Sequence, residues 1–217
     1  MPRELLDKQL LGLHDRLLAL GSEVQENLGV AAKSLTQRDM VAAHNIIVGD
    51  DWINEKWITI MHDCLRLIAT QQPMASDMRF VTMVMQIAGE LERINDYAKG
   101  IARITELLGK ETAVPPTPQL PQMAELAQAM LRDALLAFSR RDDVAARQVP
   151  KRDDAVDALF NQVYRELLVW ASEDPERWQV ANYLEWAAHN LERAADRVSN
   201  ICEWVVYTVT GKYKELS

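Results

Sequence analysis

Leu91-Glu92-Arg93 followed by Asp96 returns a hundred residues later as Leu191-Glu192-Arg193 followed by Asp196. Acids four apart share one face of a helix, so each pair can act on a common ligand. A second block repeats at a spacing of 103: Arg38-Asp39-x-Val41-Ala42-Ala43 becomes Arg141-Asp142-x-Val144-Ala145-Ala146. Carrying that spacing forward pairs Asp50 and Asn54 with Asp153 and Asp157. If the helices holding these residues pack antiparallel, each half converges its acids on one level. The first half then offers Asp50, Asn54, Glu92 and Asp96, and the second Asp153, Asp157, Glu192 and Asp196. Crowded carboxylates repel and need a counter-cation, either a basic side chain or a bound metal.

An oxygen-only donor set suits Mg²⁺, Ca²⁺, Mn²⁺ or ferric iron, while zinc more often draws on His or Cys. Against this stands a plainer account, in which E-R-x-x-D is a solvated helix face with Arg93 and Arg193 in local ion pairs. A single occurrence would favour the plainer account. Recurrence in both halves, with an acid on the neighbouring helix each time, favours a site. The second set holds four carboxylates and is the better ligand set.

Rival chemistries find little support. His14, His44, His62 and His189 have no histidine at their repeat counterparts, and the Glu-x-x-His of di-iron bundles is absent. The His14-Asp15 and His62-Asp63 dyads lack the further histidines of a metal-dependent phosphohydrolase. No phosphate-cradling glycine loop or nucleophile elbow is visible. Cys64 and Cys202 form no C-x-x-C, so neither a disulfide framework nor a thiolate metal site is implied. A net charge of −8 argues against nucleic-acid binding, which needs a basic footprint. No apolar run is long enough to span a bilayer and the start is amphipathic, not signal-like, so a cytoplasmic, soluble protein is expected.

The elements that must position the acids read as helices almost throughout. Leu5, Leu6, Leu10, Leu13, Leu17, Leu20, Val24, Leu28 and Ala31 recur at steps of three and four along a first helix over 4–36. Asp39 is a fitting N-cap for a second helix to about residue 70, and Ser76 or Asp77 for a third, to about 109. Three more are predicted over 119–139, 142–172 with an irregularity at Pro150, and 176–210. Four prolines between Thr112 and Pro121 mark a linker. Helices of about 30 residues, roughly 45 Å long, with short turns fold back as bundles. The expected fold is all-α, two tandem antiparallel three-helix bundles: 1–111, a proline-rich linker 112–121, and 122–217. Most of Trp52, Trp57, Trp170, Trp178, Trp186 and Trp204, and Met74, Met78, Met83 and Met85, are expected in packing. Trp52 is also placed to shield the edge of the first acidic set.

At this point the chain resembles a known family. Gln72-Pro73-Met74-Ala75-Ser76-Asp77-Met78-Arg79 looks like the Q-P-x-A-x-D-[LM]-R segment of PhoU phosphate-signalling regulators. ERIND and ERAAD look like that family's twice-used E-R-x-x-D signature, and Asn200-Ile201-Cys202-Glu203 like the end of its last helix. The resemblance runs the whole length and in order. It implies paired three-helix bundles whose acidic motifs bind metal ions (iron, zinc, manganese or magnesium), often as polynuclear clusters. It also implies a non-enzymatic cytoplasmic adaptor that negatively regulates phosphate-starvation signalling and phosphate uptake. The implied partners are a phosphate-sensing histidine kinase, the ATPase subunit of the phosphate ABC importer, and a second copy in a homodimer. Contact with these partners would hold the chain at the inner face of the membrane. Where the family has Gly before the signature Asp, this chain has Asn95 and Ala195. The alternatives are a metal-storage bundle, a metal-dependent phosphohydrolase and a purely structural bundle.

Overall fold

The computed structural model describes residues 2–109 and 114–216. The first half is built from α1 (Pro2–Gln37), α2 (Met40–Gln71) and α3 (Ser76–Leu108). The second is built from α4 (Gln119–Arg140), α5 (Asp143–Ala146), α6 (Asp153–Ser172) and α7 (Trp178–Thr210). Thr112 and Ala113 of the expected linker, with Lys110, Glu111 and Ser217, lie outside the described residues. The linker's other end is helical, because Pro121 sits in the first turn of α4, where a missing N–H costs nothing.

The leucine stripe of α1 is buried from Leu6 to Leu35 except at half-buried Leu10, whereas Leu5 faces solvent. Helix ends explain one of the two repeats. Asp39 Oδ1 accepts from Val41 N at 3.1 Å and Ala42 N at 2.9 Å, and Asp142 Oδ1 from Ala145 N at 2.9 Å. The arginine before each cap is left-handed, with φ of 53° at Arg38 and 52° at Arg141, which turns the chain between antiparallel helices. The R-D-x-V-A-A block is therefore a helix–turn–cap device.

Two boundaries differ from expectation. Ala75 (φ 41°) stands at the α3 N-cap without a side-chain bond, and Asp77 pairs with Arg3 of α1. The helix expected over 142–172 is divided into α5, a 3₁₀ turn at Pro150–Arg152, and α6. Pro150 supplies no N–H and its ring crowds the carbonyl four residues back, so α5 cannot run into α6. As a result Asp153 opens its helix, while Asp50 lies well inside α2.

Each half is an up–down–up bundle. Corresponding helices of the two halves then pack on each other, α1 on α4 and α3 on α7, with α2 and α6 on the outer flanks. Buried side chains of both halves merge into one core. Glu90 of α3 accepts from Asn200 of α7 at 3.3 Å, and a Cβ on Gly100 would meet Asn190 at 2.9 Å. Since 90 and 100 correspond to 190 and 200, these are one contact seen from either half. A pseudo-twofold axis crosses the α3–α7 seam.

None of the six tryptophans is fully buried: Trp57, Trp170 and Trp204 lean on the core, while Trp52, Trp178 and Trp186 are exposed. Met83 and Met85 pack as expected, but Met74 and Met78 face solvent. Both cysteines are buried free thiols, each pushed up to about 12 by burial. No helix among the described residues is long and apolar enough to cross a membrane.

Candidate metal centre

The antiparallel pairing of α2 with α3, and of α6 with α7, brings both predicted acid sets together. Their surroundings differ. In the first half Asp50 is 2% exposed and saturated with donors. Lys99 Nζ and Asn54 Nδ2 (3.3 Å) reach its Oδ2, and Asn95 Nδ2 reaches its Oδ1 at 2.8 Å. A carboxylate only accepts, so Asn95 must turn its NH₂ inward; its carbonyl then takes Asn27 Nδ2 at 2.8 Å. Arg93 spans the remaining acids, 3.5 Å from Glu92 and 3.3 Å from Asp96. Burial first, and then Asp96, raises the Glu92 carboxyl above its ordinary value.

The second half has Ala195 and Ser199 where Asn95 and Lys99 stand. Its acids are correspondingly short of donors. Asp153 Oδ1 and Glu192 Oε2 are buried without a hydrogen-bond partner, and His189 Nδ1 stands 3.4 Å from the latter. Arg193 pairs with Asp196. Asp153 lies beside Asp196, and burial followed by the charges of Asp196 and Asp157 lifts it to about 7. Asp157 and Glu192 are raised as well, each by burial first and Asp196 next. At neutrality the Asp153 carboxyl holds a proton part of the time unless another cation takes its place.

Among the described residues no group of three or more His, Cys, Asp or Glu is already arranged to hold a metal ion. The two sets therefore have to be judged on donor chemistry. The second fits a hard cation: four carboxylates, two orphaned buried oxygens and a single close arginine. The first does not, because its most buried carboxylate already holds an ammonium. The local ion pairs of the plainer account are real at both arginines, but they leave Asp153 and Glu192 unmatched.

Three features escaped the sequence reading. Lys99 could have been found as a base three residues past the signature Asp96, on the same helical face. Asn27, on α1, carries no local signal. Glu203, 5% exposed, accepts from Tyr213 Oη at 2.8 Å and Leu216 N at 2.9 Å, which ties the tail after α7 back onto the helix. Trp52 is 66% exposed on the turn that carries Asp50 and does not close over it.

This arrangement has known counterparts. The PhoU domain matches residues 17–105 and again 120–205. A Clostridium acetobutylicum protein named phosphate-specific transport system accessory protein PhoU homolog is 33% identical over the full length of both chains (100% of each). The crystal structure of PhoU from Pseudomonas aeruginosa superposes with a TM-score of 0.90 at 32% identity, covering 95% of this chain and 99% of that one. The Streptococcus pneumoniae phosphate transport system regulatory protein PhoU gives 0.89 at 33% identity, with 96% and 99% covered. With the domain present twice, the fold shared and the match running end to end, the chain belongs to the PhoU family.

Proposed function

We propose that this chain is a non-enzymatic cytoplasmic adaptor of phosphate-specific transport. It restrains phosphate-starvation signalling and phosphate uptake by contacting a sensor histidine kinase and the ATPase subunit of the phosphate ABC importer. The observation that carries this reading is the full-length match to relatives named as accessory and regulatory proteins of that system. The pair of rigid bundles suits an adaptor, since long helices present fixed surfaces.

Asp153, Asp157, Glu192 and Asp196 would hold a hard cation, with manganese, magnesium, iron and zinc as the candidates. Bound there, such an ion neutralises the cluster and cross-links α6 to α7. The chain's own part is to supply the oxygens, to hold Arg193 on Asp196, and to bury Asp153 Oδ1 and Glu192 Oε2 so that charge must be matched. Two copies pair as a homodimer in this reading, and partner contact brings the protein to the inner membrane face.

The test is a pulldown of the purified kinase and importer ATPase, with elemental analysis of the protein as isolated. Capture of either partner, with bound metal lost in Glu192→Ala plus Asp196→Ala, supports the proposal. Variable loading with many ions per chain would point to storage, and turnover of phosphoesters to a hydrolase. Absence of both partner and metal would sink the reading.

A further inference from the structure

The two acidic sets are descended from one pattern, yet they solve the same charge problem differently. Asp50 cannot be left bare at its depth, and three donors meet it: an ammonium and two amides. The supporting layer is built for this purpose, since Asn27 on α1 fixes the Asn95 amide with its NH₂ toward Asp50. A dication arriving here would meet Lys99 as a like charge and two amide NH₂ groups turned inward. In the second half nothing replaces them. Ser199, the counterpart of Lys99, is buried with an unpartnered hydroxyl, and Ala195 offers no amide.

We propose that the first acidic set is closed by Lys99 in the place a metal ion would take, so that the chain has a cation site in its second half only. The α2–α3 contact is then locked by a residue of the chain itself and is independent of metal supply. The α6–α7 contact responds to it. The inference rests on the preceding proposal for the second half alone; the claim about the first half stands without it.

Manganese titration of the Glu192→Ala, Asp196→Ala protein, followed by calorimetry and electron paramagnetic resonance, isolates the first half. No bound Mn²⁺ is expected. Adding Lys99→Ser to that background is expected to create binding of about one ion per chain, with a Tm that rises on Mn²⁺ addition and falls with chelator. Should Lys99→Ser fail to fold by circular dichroism, Lys99→Ala, which also removes the ammonium and places no donor at Asp50, carries the same expectation. Mn²⁺ binding with Lys99 in place that Asp50→Asn abolishes would overturn the inference. Folded Lys99 variants that take up no Mn²⁺ would overturn it too. A wild-type protein without Mn²⁺ would count against the second cluster, whereas gain of binding in the Lys99 variants would still support this one.

Discussion

Glu90 on α3 and Arg197 on α7 meet at 3.4 Å across the pseudo-twofold seam, with Asn200 bonding the same carboxylate oxygen. Tyr97 of α3 stands beside Arg193 and Arg197. A polar network flanked by shared core ties the halves along α3 and α7. The chain is therefore expected to unfold in one calorimetric transition, with van't Hoff and calorimetric enthalpies equal. Two resolved transitions would show that the bundles are energetically separate.

The second acidic set makes the metal-free protein sensitive to pH in a definite direction. Asp153 titrates near 7 when folded against 3.8 ordinarily, so the folded state holds a proton that the unfolded chain releases. The stability linked to that proton is complete below about pH 4 and is lost as pH rises to about 7, beyond which the penalty is constant. Chelator-treated protein should accordingly show a Tm that falls between pH 5 and pH 8 on the order of this linkage. Asp153→Asn should flatten the slope, and Mn²⁺ should raise Tm more at the upper end of the range. A Tm that climbs with pH would contradict the assignment.

Asp39 and Asp142 act on helix ends, and their loss should be felt in stability without touching metal content. Asp39→Ala and Asp142→Ala are each expected to cost about 1 kcal/mol. Urea unfolding measures the loss. Since the sites lie at the starts of separate helices, the two effects should add.

Lys99→Met leaves Asp50 charged, buried and unmatched, an outcome expected to cost about 3–5 kcal/mol. Asp50→Asn together with Lys99→Met removes the charge from both sides and should recover much of that loss. A double-mutant cycle by urea unfolding yields the coupling. Near-zero coupling would show that the pair contributes nothing to the α2–α3 contact.

Much of this architecture was readable from periodicity and punctuation. The leucine steps of α1, the Asp39 cap and the proline breaks are local signals, and helices form from local interactions. The division at Pro150 was visible as an irregularity, but its extent was not, because it depends on how Val149 and Pro150 bury against the second bundle. The tryptophans misled for a related reason: size argues for burial, yet which face of a helix is covered is decided by its neighbours.

The sequence alone determined that the chain is a doubled all-helical protein with acids repeated four apart on matching helices, since both repeat and helical period are one-dimensional facts. Only the tertiary structure decided what those acids are matched by. Lys99 and Asn95 arrive at Asp50 from another helix, with Asn27 behind them on a third, whereas Asp153 and Glu192 find no such donors. Charge compensation is a matter of distance in space. Two copies of one motif could therefore carry opposite needs without their spacing revealing it.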